Sequence, residues 1–220
     1  DYKNRLVVRE VREGVTVIRT WLYTRQAPQF VERLVHYLSF STLACVVSVA
    51  KISRQDIVIA ECPSLFTGIA GWLVSKLKRA KFALNVSDLW TDSAVDLGML
   101  KNRVLISMAL RAEKFLYEHA YLITGQTQGI VNTIRTRAPH TPVDLITNGV
   151  DQEFFAKAES VLEKKKKNGE AQSRKFIIGY AGLHGLAQDL ETVVEAARLL
   201  RNDECFEFVL YGDGPKKEKL

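Results

Sequence analysis

The chain has 220 residues, and 47% of them are apolar, so it can form one large domain or two small ones with a real core. This composition excludes a disordered or fibrous chain. The net charge is +6, and much of it lies in two runs, 76–81 and 164–167. Such runs favour nucleic acid, anionic lipid or phosphate-bearing substrates as partners, although a solvated surface is the commoner explanation.

The cysteines and histidines argue against a disulfide framework or a zinc site. Cys45, Cys62 and Cys205 are odd in number and include no CxxC pair, and the four histidines lack ligand spacing. We therefore expect no bound metal and a reducing, cytoplasmic location.

The longest apolar run, 43–50, is far shorter than the roughly 18 residues that span a membrane. With the apolar residues of 34–40 it predicts a helix buried in a core, with a membrane surface as the alternative. The chain starts at Asp1, and 212–220 has the pattern of a helix that has only begun, so we expect both ends to be cut.

In chain order, two extended segments come first, 5–10 and 15–21, and Gly14 between them predicts a hairpin. A helix follows from Pro28 to about Ala50. Strands and helices then alternate, which predicts a parallel, doubly wound sheet with right-handed crossovers. They are strand 56–60, helix 63–78, strand 82–86, helix 102–118, strand 120–124, helix 127–137 and strand 143–146. The nearly all-apolar first strand is expected to be buried on both faces.

A change of composition at 156–174 predicts the end of the first domain. This basic stretch has almost no large apolar residues after Leu162, so we interpret it as a surface linker between a domain at 1–155 and a second domain at 175–220. In the second domain the alternation restarts as strand FIIGYA, helix DLETVVEAARLL and strand FEFVLYG.

A glycine-bearing loop follows the strand that ends at Tyr180. Gly182 and Gly185 permit close approach of the backbone to a ligand, and a helix predicted to start near Asp189 offers free N–H groups to a phosphate or diphosphate. His184 and Gln188 lie where their side chains can reach the same ligand. A tight turn without a ligand fits equally well, and the pattern is not GxGxxG.

A second glycine loop, VLYGDGP, contains Gly212, Asp213 and Gly214 and is expected to lead into a helix near Pro215. Because neighbouring parallel strands end at the same edge of a sheet, both loops should lie where open α/β sheets bind ligands.

The strand FALNV delivers Asp88, Trp90, Asp92 and Ser93 into a loop. A carboxylate beside an indole is suited to holding a sugar. The alternative is structural: Asp92 or Ser93 caps a following helix and Trp90 is buried. In ITNGVDQEFF (146–155), a turn is the favoured interpretation, with the two phenylalanines anchoring the domain edge.

The segments VSDLWTDSAVDLGML, PxxITNGVDxxFF, GYAGLHGLAQDL and FVLYGDGP occur in this order, and the chain from about Tyr2 to Leu220 resembles the retaining glycosyltransferases of family 4. Within them it is most similar to the branch of colanic-acid and L-fucosamine transferase-like proteins. The NGVD and GDGP segments are common to the wider family, whereas DLW-DSAV and AGLHGLAQ are more specific.

The resemblance implies a GT-B fold of two Rossmann-like doubly wound domains, both incomplete here. It implies that Gly182, His184, Gly185, Gln188, Gly212, Asp213 and Gly214 bind the donor, a nucleotide-diphosphate sugar expected to be UDP-linked. It places Asp88 as the catalytic residue and Trp90, Asp92 and Ser93 on the acceptor side. It implies no metal and no cofactor.

The sequence departs from the family at two positions. Ser87 stands where many relatives have a histidine, and Gln188-Asp189 stands where relatives have a lysine and glycine, so diphosphate stabilisation by that lysine must come from elsewhere. The family's first βα unit and its E-x7-E motif are not in 1–220, so we expect no sugar transfer by this chain alone.

The function expected is transfer of a sugar to a lipid-linked or saccharide acceptor in cell-surface polysaccharide synthesis, in the cytoplasm and in peripheral contact with the anionic inner membrane. The alternatives are a sugar-nucleotide 2-epimerase of the same fold and an inactive fragment that only binds. A nucleic-acid-binding module ranks last, because the lysine run lacks interleaved aromatic residues, so we expect no nucleic acid partner.

Overall fold

The structure is a computed structural model, and it describes residues 5–24, 30–62, 64–167 and 175–220. The chain divides into two compact units, unit 1 at 1–148 and unit 2 at 149–220. This division lies before the linker that the sequence predicted at 156–174. Residues 156–167 belong to a helix instead, and 168–174 lie outside the described residues.

Unit 1 begins with the predicted hairpin. Its strands pair in antiparallel register from Val7↔Thr20 to Arg12↔Val15 around a two-residue turn. The strands are β1 (Val7–Arg12) and β2 (Val15–Thr20).

The rest of unit 1 is a parallel sheet with the order β3-β4-β5-β6, together with five helices. Its strands are β3 (Ile57–Cys62), β4 (Lys81–Val86), β5 (Leu122–Gly125) and β6 (Val143–Leu145). Its helices are α1 (Phe30–Lys51), α2 (Leu65–Lys78), α3 (Trp90–Asp96), α4 (Arg103–His119) and α5 (Gln128–Arg137). The predicted alternation is confirmed, with α3 as an addition.

Helix α1 packs against α2 on one side and is exposed on the other. Val31, Val35, Leu38 and Val46 are 65%, 42%, 41% and 58% exposed. The stretch Val31–Lys51 is long and apolar enough to cross a membrane by length and composition, with a mean hydropathy of 1.4, yet only 11% of it is buried. The expectation that this helix is buried in a core is therefore wrong.

The core lies on one face of this sheet. Ala60, Phe82, Leu84 and Ile123 point into it, where α2, α4 and α5 pack. Small residues let α2 approach closely: a Cβ on Gly71 would lie 2.6 Å from the Cβ of Ala60.

The opposite face of the sheet is more open. Ile57 and Ile59 of β3 are 53% and 72% exposed, so the prediction that this strand is buried on both faces is wrong. The order places β3 at the edge of the sheet, with helices against one side of it. On the open face, Thr124 Oγ1 donates to Asn85 Oδ1 at 2.6 Å, and Asn85 Nδ2 donates to Glu61, which links three neighbouring strands.

Unit 2 contains a further parallel pair and two helices. The elements are α6 (Gln152–Lys167), β7 (Phe176–Ala181), α7 (Leu190–Leu199) and β8 (Phe206–Tyr211). Asp151 caps α6, because its Oδ1 accepts from Glu153 N at 2.7 Å and from Phe154 N at 3.2 Å. Phe154 and Phe155 are 68% and 57% exposed, so the expected anchoring of the domain edge by these rings is wrong.

Candidate functional site

The two glycine loops of unit 2 lie side by side beyond the carboxyl ends of β7 and β8. Gly182 N donates to Tyr211 O at 2.9 Å, and His184 N donates to Asp213 O at 2.9 Å. In return, Lys216 N donates to His184 O at 3.0 Å. These bonds extend the ladder past the strands, so the loops form one edge, as expected for neighbouring parallel strands.

His184 is the buried polar group of this edge. It is 4% exposed, and neither Nδ1 nor Nε2 has a hydrogen-bond partner among the described residues. A buried donor or acceptor left unpaired costs about 1–3 kcal/mol. The imidazole is therefore the group at this edge that gains most from a ligand able to hydrogen-bond with it.

Two glycines of the second loop enclose this histidine. Gly212 and Gly214 have φ of +155° and +153°, a region that side chains disfavour. A Cβ on Gly212 would lie 1.8 Å from Gly182 O, and one on Gly214 would lie 2.5 Å from His184 O. The packing of the two loops thus requires glycine at both positions.

The first loop reaches its helix through a single 3-10 turn, Leu186–Gln188, which the sequence pattern did not predict. Gln188 is exposed at the end of this turn, whereas Gly185 is buried at its start. Asp189 precedes α7, and its Oδ2 accepts from Thr192 Oγ1 at 2.7 Å. The helix starts where the sequence predicted, directly after the loop.

The second glycine loop contains charged residues and is not followed by a full α-helix in the described residues. Pro215 is followed by a 3-10 turn, Lys217–Lys219, in place of the predicted helix. Asp213 Oδ1 accepts from Gly214 N at 2.8 Å, so this carboxylate is bound within its own loop. Lys216 Nζ donates to Glu191, and this bond holds the pKa of the Glu191 carboxyl below its usual value.

In unit 1, the candidate residues cluster after β4. Asp88 is exposed, and its Oδ1 accepts from Ser93 Oγ at 2.9 Å. The helix α3 begins at Trp90 and is preceded by Leu89, which makes no side-chain capping bond. Capping of that helix by Asp92 or Ser93 is therefore wrong, because both residues lie inside it.

Asp92 belongs to a partly buried ion cluster. Arg137 Nη2 donates to Asp92 Oδ1 and Oδ2 at 2.9 and 2.7 Å, and Arg137 Nη1 donates to Glu113 at 2.5 Å. Burial lowers the pKa of Arg137, but the hydrogen bonds that it donates to Glu113 and Asp92 raise it, with a net rise. Asp92 thus fixes α3 to α4 and α5, a role that no local sequence signal indicated.

Two weakly acidic side chains, the Cys62 thiol and the Tyr117 phenol, lie beside this cluster. Burial, followed by the charges of Glu113, Glu61 and Asp88, raises the pKa of the Cys62 thiol to about 12. Burial and the charge of Glu113 also raise the pKa of Tyr117. Both groups therefore stay protonated at neutral pH. In the described part of the chain, no three His, Cys, Asp or Glu side chains form a group that could hold a metal ion.

Residues 2–149 match the family described as "Glycosyl transferase 4-like domain", and the chain belongs to this family. A curated relative, "Putative colanic acid biosynthesis glycosyl transferase WcaI" of Escherichia coli (strain K12), is 27% identical over 213 residues. The match covers 94% of this chain and 52% of the relative, so the chain spans about half the length of that protein. The resemblance seen in the motifs is confirmed.

The fold is similar to a solved structure, "Crystal structure of Anabaena Alr3699/HepE in complex with UDP and glucose". The TM-score is 0.54 and the identity is 14%, with coverage of 88% of this chain and 47% of that one. The α/β architecture with parallel sheets is of the GT-B type, as the resemblance implied.

Proposed function

We propose that this chain is part of a retaining glycosyltransferase that moves a sugar from a nucleoside diphosphate, expected to be UDP, to a lipid-linked or saccharide acceptor of cell-surface polysaccharide synthesis. Membership of the family supports transfer chemistry. The relative named for colanic acid biosynthesis supports the pathway class, and the fold relative solved with UDP and glucose supports the donor class.

The observation that carries the proposal is the buried, unpaired imidazole of His184 between two glycine loops. A donor diphosphate bound at this edge would accept a hydrogen bond from the ring and would lie near the positive end of the α7 dipole. The ring would also stabilise the charge that develops on the leaving diphosphate. Gly182, Gly185, Gln188 and Gly212 are the neighbours proposed to contact the donor.

In unit 1, Asp88 is the proposed catalytic residue, because its exposed carboxylate could orient an acceptor hydroxyl. Ser93 holds that carboxylate at 2.9 Å. Trp90 is proposed to offer an apolar surface to the acceptor. Asp92 acts only through the position of α3, because both of its oxygens bind Arg137.

The test is calorimetric titration of the purified chain with UDP. His184→Ala is expected to weaken UDP binding by roughly tenfold or more, the loss of a hydrogen bond to a charged group. His140→Ala, an exposed histidine in unit 1, is the matched control and should leave binding unchanged. Absence of UDP binding by the unchanged chain, or equal affinities of the two variants, would contradict the proposal.

A further inference from the structure

Lys216 follows the second glycine loop of unit 2 and connects it to the start of α7. Its backbone N–H donates to the carbonyl of His184 at 3.0 Å, which fixes the residue beside the buried imidazole. Its side chain extends to the first turn of α7, where Nζ donates to the carboxylate of Glu191. One cation thus lies between the histidine and the positive end of the α7 dipole.

Partial burial distinguishes Lys216 from the two lysines that follow it. Its side chain is 22% exposed, whereas the Lys217 side chain is 55% exposed and lies 3.7 Å from the carboxylate of Asp213. Lys219 is exposed as well. Because packing restricts the flexible stem of a lysine, Lys216 is the one of these three whose ammonium is held against the protein.

The Lys216 ammonium has hydrogen-bonding capacity left for a ligand. An ammonium carries three N–H donors, and Glu191 is its one hydrogen-bond acceptor among the described residues. Both ring nitrogens of His184 are unpaired in the same part of the structure. The edge therefore presents two side chains with unused hydrogen-bonding capacity, and one of them is a cation.

Glu191 lies where an anion is favoured. It belongs to the first turn of α7, at the positive end of the helix dipole. The hydrogen bond from Lys216, followed by one from its own backbone N–H, holds the pKa of its carboxyl below the usual value. The Glu191 side chain is 43% exposed, so its carboxylate can turn into water when another anion takes its partners.

We propose that Lys216 binds the donor diphosphate together with His184, and that Glu191 is the internal partner that the diphosphate replaces. A diphosphate has more negative charge and more acceptor oxygens than a carboxylate, so the exchange strengthens the hydrogen bonds of the ammonium. The same ammonium stabilises the charge that develops on the leaving nucleoside diphosphate. The inference rests on the proposed function, because it names a further contact of the same donor site.

The first experiment is calorimetric titration of the purified chain with UDP. Lys216→Met keeps an unbranched side chain but removes the charge, so it should weaken UDP binding by roughly tenfold or more, the loss of a hydrogen bond to a charged group. Lys217→Met, the same change at the exposed neighbouring position, is the matched control and should bind UDP within about twofold of the unchanged chain.

The second experiment separates contact with the diphosphate from neutralisation of Glu191. Glu191→Gln should tighten UDP binding by about two- to fivefold, because its carboxylate no longer competes for Lys216. Lys216→Met combined with Glu191→Gln should still bind UDP roughly tenfold more weakly than Glu191→Gln alone. If Lys216 served only to neutralise Glu191, the double variant would bind UDP as tightly as Glu191→Gln.

The results distinguish this inference from the proposed function. If His184→Ala weakens UDP binding but Lys216→Met binds UDP like Lys217→Met, the donor site stands and the role of Lys216 is overturned. A double variant that binds as tightly as Glu191→Gln, or weaker binding by Glu191→Gln itself, also overturns it. Absence of UDP binding by the unchanged chain contradicts both proposals. Circular dichroism verifies that each variant is folded.

Discussion

The two units differ in how their sheet edges satisfy polar groups. After β4 of unit 1, Arg137 forms ion pairs with Asp92 and Glu113, and Ser93 donates a hydrogen bond to the exposed Asp88. After β7 of unit 2, the buried His184 has no partner for either ring nitrogen among the described residues. The buried charge of the first edge, Glu113, is held in an ion pair, whereas the buried imidazole of the second edge has hydrogen-bonding capacity left for a ligand.

The largest effect on stability is expected from removing Arg137, the cation of the ion cluster in unit 1. Arg137→Met leaves Glu113, whose side chain is 4% exposed, without its cation, so the free energy of unfolding of unit 1 should fall by about 3–5 kcal/mol. Trp21, Trp72 and Trp90 all lie in 1–148, so tryptophan fluorescence in a urea titration measures unit 1 alone. Arg111→Met, at an exposed position, is the control; an equal loss in both variants would show that the ion cluster does not stabilise unit 1.

A substitution in the glycine loops of unit 2 should lower the free energy of unfolding by a smaller amount. In Gly212→Ala, the new Cβ would clash with Gly182 O, and the backbone conformation disfavours a side chain. The free energy of unfolding of unit 2 should therefore fall by about 2–3 kcal/mol. Amide hydrogen exchange at His184 should accelerate, while the fluorescence transition of unit 1 stays in place. Gly179→Ala is the matched control, since no atom lies within 4 Å of its Cβ. Unchanged exchange in Gly212→Ala would show that the loops do not depend on this glycine.

The smallest expected effect is a pH dependence of the stability of unit 1. The Cys62 thiol has a pKa of about 12 in the folded chain against 9.0 as the usual value. Between these values the unfolded state binds fewer protons, so the stability of unit 1 should fall as pH rises, by about 1.4 kcal/mol per pH unit from this group. Cys62→Ala should flatten the fall above pH 9, measured by urea titration of fluorescence. Cys205→Ala, in unit 2, should leave the slope unchanged; identical slopes in both variants would contradict the deep burial of Cys62.

Sequence periodicity predicted most of the elements, because hydrophobic spacing and turn residues act locally. The helix start after Asp189 and the hairpin around Gly14 are confirmed for this reason. Helix α6 was missed because its second half is a lysine run with little apolar content, although Asp151 supplied a capping signal. The burial of β3 was misjudged, since an all-apolar strand does not reveal that it lies at a sheet edge.

The sequence predicted the backbone of the candidate site but not which side chains pair with one another. The glycines at 212 and 214 mark a close approach of two loops, and the structure has one. The pairing of Asp92 with Arg137 spans 45 residues, so it depends on how α3 and α5 pack. The exposure of α1 likewise depends on which of its faces meets α2, and an apolar composition all around the helix hides that choice.

In the four-stranded sheet of unit 1, each strand lies beside the one that precedes it in the chain. The order of synthesis on a ribosome is therefore compatible with the order of assembly: β4 can pair with β3, β5 with β4 and β6 with β5 as each one emerges. No strand has to wait for a distant partner, and each closure spans only one crossover. Pairing of consecutive strands keeps the sequence separation of contacts lower than other orders of a parallel sheet would, and it limits the time during which an unpaired nascent edge is open to aggregation.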